Sequence, residues 1–128
     1  MHPISRRNHG ILDYVVGIIL ILSPKLFGFD ATGTPERIPI ILGIAALVYS
    51  LFTDYELGLF KLLPFRVHIV LDVLNGLTLA ASPWIFHFAD RVWIPHLVLG
   101  LLELGVVLLT QVDATDPRGS TSTSHSLT

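Results

Sequence analysis

Charged side chains divide the chain into four apolar stretches. Gly10 to Leu22 is broken only by Asp13, and Ile38 to Phe52 carries no charge. Val67 to Ala81 contains His68 and Asp72, and Ile94 to Val112 contains His96 and Glu103. None alternates with the period of two that a half-buried strand needs, so helices are expected. A helix at the surface of a soluble bundle keeps a broad polar face. Ile38 to Phe52 is apolar all round and Ile94 to Val112 nearly so. A lipid solvent explains both. A bilayer core of about 30 Å needs about 20 helical residues, with a lower limit near 17. Three of the four runs are shorter than that. Extension through Arg6 to Asn8 and through Phe65 with Arg66 brings the first and third runs to 17 residues, and Thr53 brings the second to 16. The pattern predicts an all-α membrane protein with four transmembrane helices.

Two segments fall outside this pattern. In residues 54–65, Leu57, Leu59, Phe60, Leu62, Leu63 and Phe65 mix with Glu56 and Lys61, as in a segment lying on a membrane surface. Residues 113–128 are rich in Ser and Thr and hold too few apolar groups to offset ordering entropy, so a disordered tail is expected. The membrane domain is accordingly 1–112.

Composition agrees. Of 128 residues, 52% are apolar and 14% charged, against about 25% charged in soluble domains. Mean hydropathy is +0.68. A soluble enzyme and a disordered regulator fit poorly. The net charge of -2 offers no basic patch, so nucleic acid is not an expected partner. Cysteine is absent, which excludes disulfides and thiolate chemistry. Ser5-Arg6-Arg7 before an apolar run resembles a secretion signal, but Asp13 within the run and the lack of a small-residue cleavage site argue against one.

The chain also repeats itself. At an offset of 59, Arg7 falls on Arg66, His9 on His68, Asp13 on Asp72, Gly17 on Gly76, Leu20 on Leu79, Ser23-Pro24 on Ser82-Pro83, Phe27 on Phe86 and Phe29 on Phe88, without a gap. At an offset of 57, Leu42 falls on Leu99, Gly43 on Gly100, Leu47 on Leu104 and Thr53 on Thr110. Two helix–loop–helix units follow, at about 7–53 and 66–112. Each holds an even number of spans. The two are therefore parallel, with a pseudo-two-fold near the membrane normal rather than the inverted relation of many transporters. Arg6, Arg7, Lys61, Arg66 and Arg118 would share one side, and Lys25, Arg37 and Arg91 the other. That excess places both termini in the cytoplasm.

Ser82-Pro83-Trp84 closes the first span of the second unit, with His68 and Asp72 upstream and Ser23-Pro24 in register in the first. In these residues the chain resembles the SPW repeat family, small bacterial membrane proteins named for a Ser-Pro-Trp motif, over residues 9–112. The resemblance implies residence in a bacterial inner membrane and a four-span fold. It implies no reaction or substrate. Lys25 stands where the first copy would have its Trp.

The candidate chemistry lies in the repeated His, Asp and Gly. Residues four apart share a helix face. His9, Asp13 and Gly17, and His68, Asp72 and Gly76, therefore form two stripes that the pseudo-two-fold can bring face to face. Asp13 lies about 6 Å deeper than His9, nearer the Arg7 side than the midplane. Glu103, opposite Ala46 in the alignment, is a further member. Two readings stand. In one, His and Asp pair with each other or with Arg7 and Arg66 and lock the units together, since unpaired charge in hydrocarbon is costly. In the other, the cluster ligates a metal, relays protons or floors a small binding site. The spacing matches no established metal motif, so no metal and no cofactor is assigned.

Ser-Pro predicts that Ser23 and Ser82 end the first span of each unit, because Pro disfavours helix at the preceding residue. A kinked helix continuing through Pro24 and Pro83 is the alternative. Each Ser hydroxyl can take up a carbonyl freed there. Trp84, Phe86 and Phe88 then fall at headgroup level, and Trp93 with Arg91 anchors the fourth span. Pro39 and Pro95 are expected in the first turns of their helices. His2, His87 and His125 are expected to be solvated. Nucleophile elbows, phosphate loops and dinucleotide fingerprints are absent, so an enzyme is not expected. The expected function is that of a structural or accessory membrane component, with lipid and a second copy or another membrane protein as partners. The alternative is proton or small-solute handling through His9, Asp13, His68, Asp72 and Glu103.

Overall fold

A computed structural model describes residues 3–29 and 33–110. The expected tail at 113–128 lies outside the described residues, as do His2 and His125. Among the described residues four helices form, α1 Arg6–Leu26, α2 Thr34–Leu51, α3 Phe65–Ile85 and α4 Ile94–Leu108. The first three are long and apolar enough to cross a membrane, and α4 is a shorter apolar helix of 15 residues. At 1.5 Å per residue, α1 and α3 are about 31 Å long and α4 about 22 Å. Ser5 starts α1, its hydroxyl accepting the Asn8 N–H at 3.1 Å.

Within each unit the two helices pack extensively, α1 on α2 and α3 on α4. Lesser contacts of α2 with α3 and of α1 with α4 join the units. The close crossings use the repeated glycines. A Cβ on Gly43 would lie 2.7 Å from Gly17 O, and one on Gly100 2.7 Å from Gly76 O. The helix bounds fall at the same offsets as the sequence alignment. Arg6 and Phe65, and Leu26 and Ile85, are each 59 positions apart, and α2 and α4 end 57 apart at Leu51 and Leu108. The Ile4 N–H donates to Leu109 O at 2.9 Å, and the equivalent Leu63 N–H donates to Phe52 O at 2.7 Å.

Polarity runs inside out. Leucine, isoleucine and valine line the exterior at helical spacing, as at Ile11, Val15, Ile18 and Leu22. His9, His68, Ser23, Ser82 and Thr53 are fully buried alongside Leu20 and Leu79. This suits a chain whose solvent is lipid, where buried polar groups hold helices together.

Three sequence expectations need correction. First, Ser23 and Ser82 do not end their helices, which run on through Pro24 to Leu26 and through Pro83 to Ile85. Pro24 lacks the N–H that would reach Leu20 O, and Pro83 the one for Leu79 O. Ser23 Oγ donates to Leu20 O at 2.8 Å and Ser82 Oγ to Leu79 O at 2.7 Å. With the lost donor replaced locally, the helix continues. Second, α2 begins at Thr34, so Pro35 occupies its first turn and Pro39 lies inside. The carbonyl that Pro39 leaves free, Pro35 O, accepts from His96 Nε2 on α4 at 2.8 Å. Third, Phe88 is buried at 2% exposure, like its counterpart Phe29 at 4%. The two flank His96, with ring centroids at 5.0 and 4.9 Å. Trp84 and Phe86 are outward, and Trp84 lies 6.0 Å from Trp93. The connection between α2 and α3 exposes Leu59, Phe60 and Leu62.

Candidate functional site

The two stripes meet. His9, Asp13, His68 and Asp72 form one tetrad, buried except at the partly exposed Asp13, and the pairing is exchanged between the units. His9 Nε2 lies 2.7 Å from Asp72 Oδ2, and His68 Nε2 lies 2.6 Å from Asp13 Oδ2. The contacts within each helix are longer, 3.2 Å for His9–Asp13 and 3.1 Å for His68–Asp72.

The opposite nitrogens are held by Thr53 and Thr110, which align in the repeat and carry no motif that marks them as part of a site. His68 Nδ1 is 2.8 Å from Thr53 Oγ1, and His9 Nδ1 is 2.7 Å from Thr110 Oγ1. Each threonine closes a helix C-terminus. The Thr53 N–H turns to Ser50 O, so the hydroxyl donates to Tyr49 O at 2.6 Å. The Thr110 N–H turns to Val107 O, and its hydroxyl donates to Val106 O at 2.6 Å. Each hydroxyl proton is committed, so each Oγ1 accepts from imidazole Nδ1–H. This tautomer follows from the hydrogen-bond network. Both Nε2 atoms then face the carboxylates. Protonated at both nitrogens, two imidazolium rings balance two carboxylates.

The symmetry is broken on one side. The Tyr49 hydroxyl donates to Asp72 Oδ1 at 2.6 Å. At the offset of 57 its counterpart is Val106, which donates nothing to Asp13. Glu103 stands opposite Ala46. Together with Asp13 and Asp72, these four residues border a pocket of about 320 Å³ counted out to its mouth, whose interior admits only water-sized occupants. Glu103 sits in its wall, outside the tetrad, and its Oε1 has no hydrogen-bond partner among the described residues.

An aromatic cover shields the tetrad. Phe65 stacks on His68 at 5.8 Å, and Tyr55 from the α2–α3 connection lies 5.4 Å from the same ring. Tyr55 is 2% exposed, and burial pushes its phenol well above the ordinary tyrosine range. The connection is pinned by the Tyr14 hydroxyl donating to Leu57 O at 2.9 Å, and by Lys61 Nζ donating to Tyr55 O at 2.5 Å.

Of the residues singled out from sequence, His9, Asp13, His68 and Asp72 converge, and Glu103 borders them. Ser23, Pro24, Ser82 and Pro83 lie about 15 Å away along α1 and α3, where they repair the helices. Trp84 is at the exterior. Thr53, Thr110, Tyr49 and Tyr55 complete the centre.

The tetrad offers one ligand atom from each residue, all within 4.8 Å of one another, a spread that a metal ion could draw together. Compared with known proteins, residues 7–110 match the family model described as SPW repeat domain. No curated protein and no solved structure matches the chain.

Proposed function

We propose, from the premise that the chain belongs to the SPW repeat family and is a membrane protein, that it serves as a structural or accessory component of the cell membrane. Its working part is the bundle itself, whose two units are clamped by the exchanged His9–Asp72 and His68–Asp13 bonds. That exchange is the observation that carries the reading. Each imidazole uses both nitrogens, one on the other unit's acid and one on the other unit's threonine. The termini face the cytoplasm, the side holding Arg6, Arg7, Lys61 and Arg66, and the apolar exterior meets lipid and a partner, either a second copy or another membrane protein. Substituting His9, Asp13, His68 or Asp72 by Ala lowers the yield of folded protein. Full yield with loss of a transport or catalytic phenotype would overturn the reading.

One observation favours a second reading, in which the cluster handles protons or a small solute. The pocket exposes Asp13, Asp72 and Glu103 together. Proteoliposomes would then show a pH-dependent flux that Asp13→Asn with Asp72→Asn removes. Flux equal to that of empty vesicles from about pH 5 to 8, the range where imidazole changes charge, would dispose of it.

A further inference from the structure

We infer that His9 Nε2, His68 Nε2 and one carboxylate oxygen each from Asp13 and Asp72 form a four-ligand site for a divalent first-row transition metal, with zinc(II) as the best fit. The inference rests on the clamp reading and deepens it: the ion is the clamp's cross-link.

Donor chemistry comes first. Two imidazoles and two carboxylates suit zinc and its neighbours, whereas magnesium and calcium favour shells of oxygen ligands. Geometry comes second. Zinc bonds of about 2.0–2.2 Å in a tetrahedron place ligand atoms about 3.4 Å apart. The tetrad's atoms span 2.6 Å at His68–Asp13 to a limit of 4.8 Å, so modest side-chain shifts reach that figure.

Orientation is the third and most specific point. A metal-bound histidine nearly always donates its second N–H to a fixed acceptor, which sets the tautomer and aims the other lone pair. Here both Nδ1–H groups meet threonine oxygens whose own protons are tied to helix carbonyls. Both Nε2 atoms are thereby aimed at one point between the two acids. The Tyr49 hydroxyl likewise fixes Asp72, leaving Oδ2 toward the centre. A simple interhelical lock requires no such agreement among four side chains from two helices.

Charge is the fourth. Two imidazolium rings against two carboxylates sum to zero. A divalent ion with two neutral imidazoles and the same carboxylates also sums to zero. Binding forms two metal–nitrogen and two metal–oxygen bonds, breaks the ion's bonds to its hydration waters, which leave to bulk solvent, and releases the two Nε2 protons to water, with no change in oxidation state. The tetrad itself thus carries no net charge before or after. The pocket bordered by Asp13, Glu103 and Tyr49 adjoins the site and supplies an approach.

The test uses full-length protein purified in detergent, stripped with chelator and supplied with zinc(II) or cobalt(II) alone. One ion per chain by elemental analysis, and the intense visible bands of four-coordinate cobalt(II), are expected. Asp13→Asn with Asp72→Asn abolishes both. Thr53→Val keeps all four ligands and weakens binding by about 10–100-fold, the usual effect of losing an orienting partner. Sub-stoichiometric zinc without cobalt bands in folded wild-type protein overturns the inference, as does a Thr53→Val variant that folds and binds like wild type. If metal is absent while the tetrad substitutions still lower yield, the clamp stands and only the ion falls. If metal binds but those substitutions leave yield intact, the clamp reading fails.

Discussion

Thr53→Val changes volume little and deletes one hydroxyl, yet two polar groups lose a partner. Tyr49 O loses the donor that closes the end of α2, and His68 Nδ1, on a fully buried ring, loses its acceptor. Interhelical hydrogen bonds in membranes are worth about 0.6 kcal/mol on average and up to about 1.7. A buried polar group left unsatisfied costs about 1–3 kcal/mol. The His68 nitrogen cannot reach water under the cover of Tyr55 and Phe65, so the upper part of these ranges applies and the loss is about 2–3 kcal/mol. Thr110→Val acts on His9 in the same way. The double variant loses less than the sum, because both threonines steady one tetrad and the second removal finds it already loosened. Thr53→Ser retains the hydroxyl and stays near wild type. Unfolding in mixed micelles by added denaturing detergent, followed by circular dichroism, gives the differences. A Thr53→Val variant within about 0.5 kcal/mol of wild type, the scatter of neutral surface changes, would refute the reasoning. So would a Thr53→Ser variant as damaged as the valine.

Gly43→Ala places its Cβ 2.7 Å from Gly17 O and 2.9 Å from Leu20 Cβ, so α1 and α2 must part. A loss of about 1–3 kcal/mol is expected from such overpacking, whereas Gly105→Ala, which meets nothing within 4 Å, leaves detergent melting unchanged or slightly raised. Ser23→Ala and Ser82→Ala each reopen the carbonyl that proline leaves free, costing about 1 kcal/mol apiece in the same melts. Tyr55 stays protonated in the folded protein at pH values where an unfolded tyrosine, with a pKa of about 10, ionises. Unfolding then releases a proton, so stability falls as pH rises above about 10. Tyr55→Phe flattens that decline, and an unchanged alkaline slope would count against the burial.

The four helices and the paired stripes were legible because they depend on spacing alone. Lipid makes apolar runs continuous, and a repeat brings His9 and His68 into corresponding positions. Thr53 and Thr110 were aligned with each other but not assigned, since threonine at a helix end has an ordinary local use. Their reach to a histidine of the other unit is a tertiary fact. Tyr49 carried even less signal, standing opposite Val106 in the repeat. The helix endings misled for a related reason. Proline's local preference against a preceding helical residue was outweighed by replacement donors, adjacent for Pro24 and Pro83 but on α4 for Pro39. Phe88 looked like an interfacial aromatic until His96 supplied a ring for it to pack against. That pairing joins a residue of the α3–α4 connection to one at the start of α4, and the turn that brings them together is a tertiary fact.

The exchanged bonds carry an evolutionary corollary. A half-length protein with a single unit would leave its histidine only the longer contact to the acid of its own helix, and its threonine short of a ring. A homodimer would supply the shorter acid contact and the ring. Tandem fusion of two such genes would preserve that core while freeing each copy to diverge alone. Tyr49 against Val106, and Glu103 against Ala46, are differences a homodimer encoded by one gene cannot hold. The lopsided pocket they shape therefore suits a single chain that carries both halves.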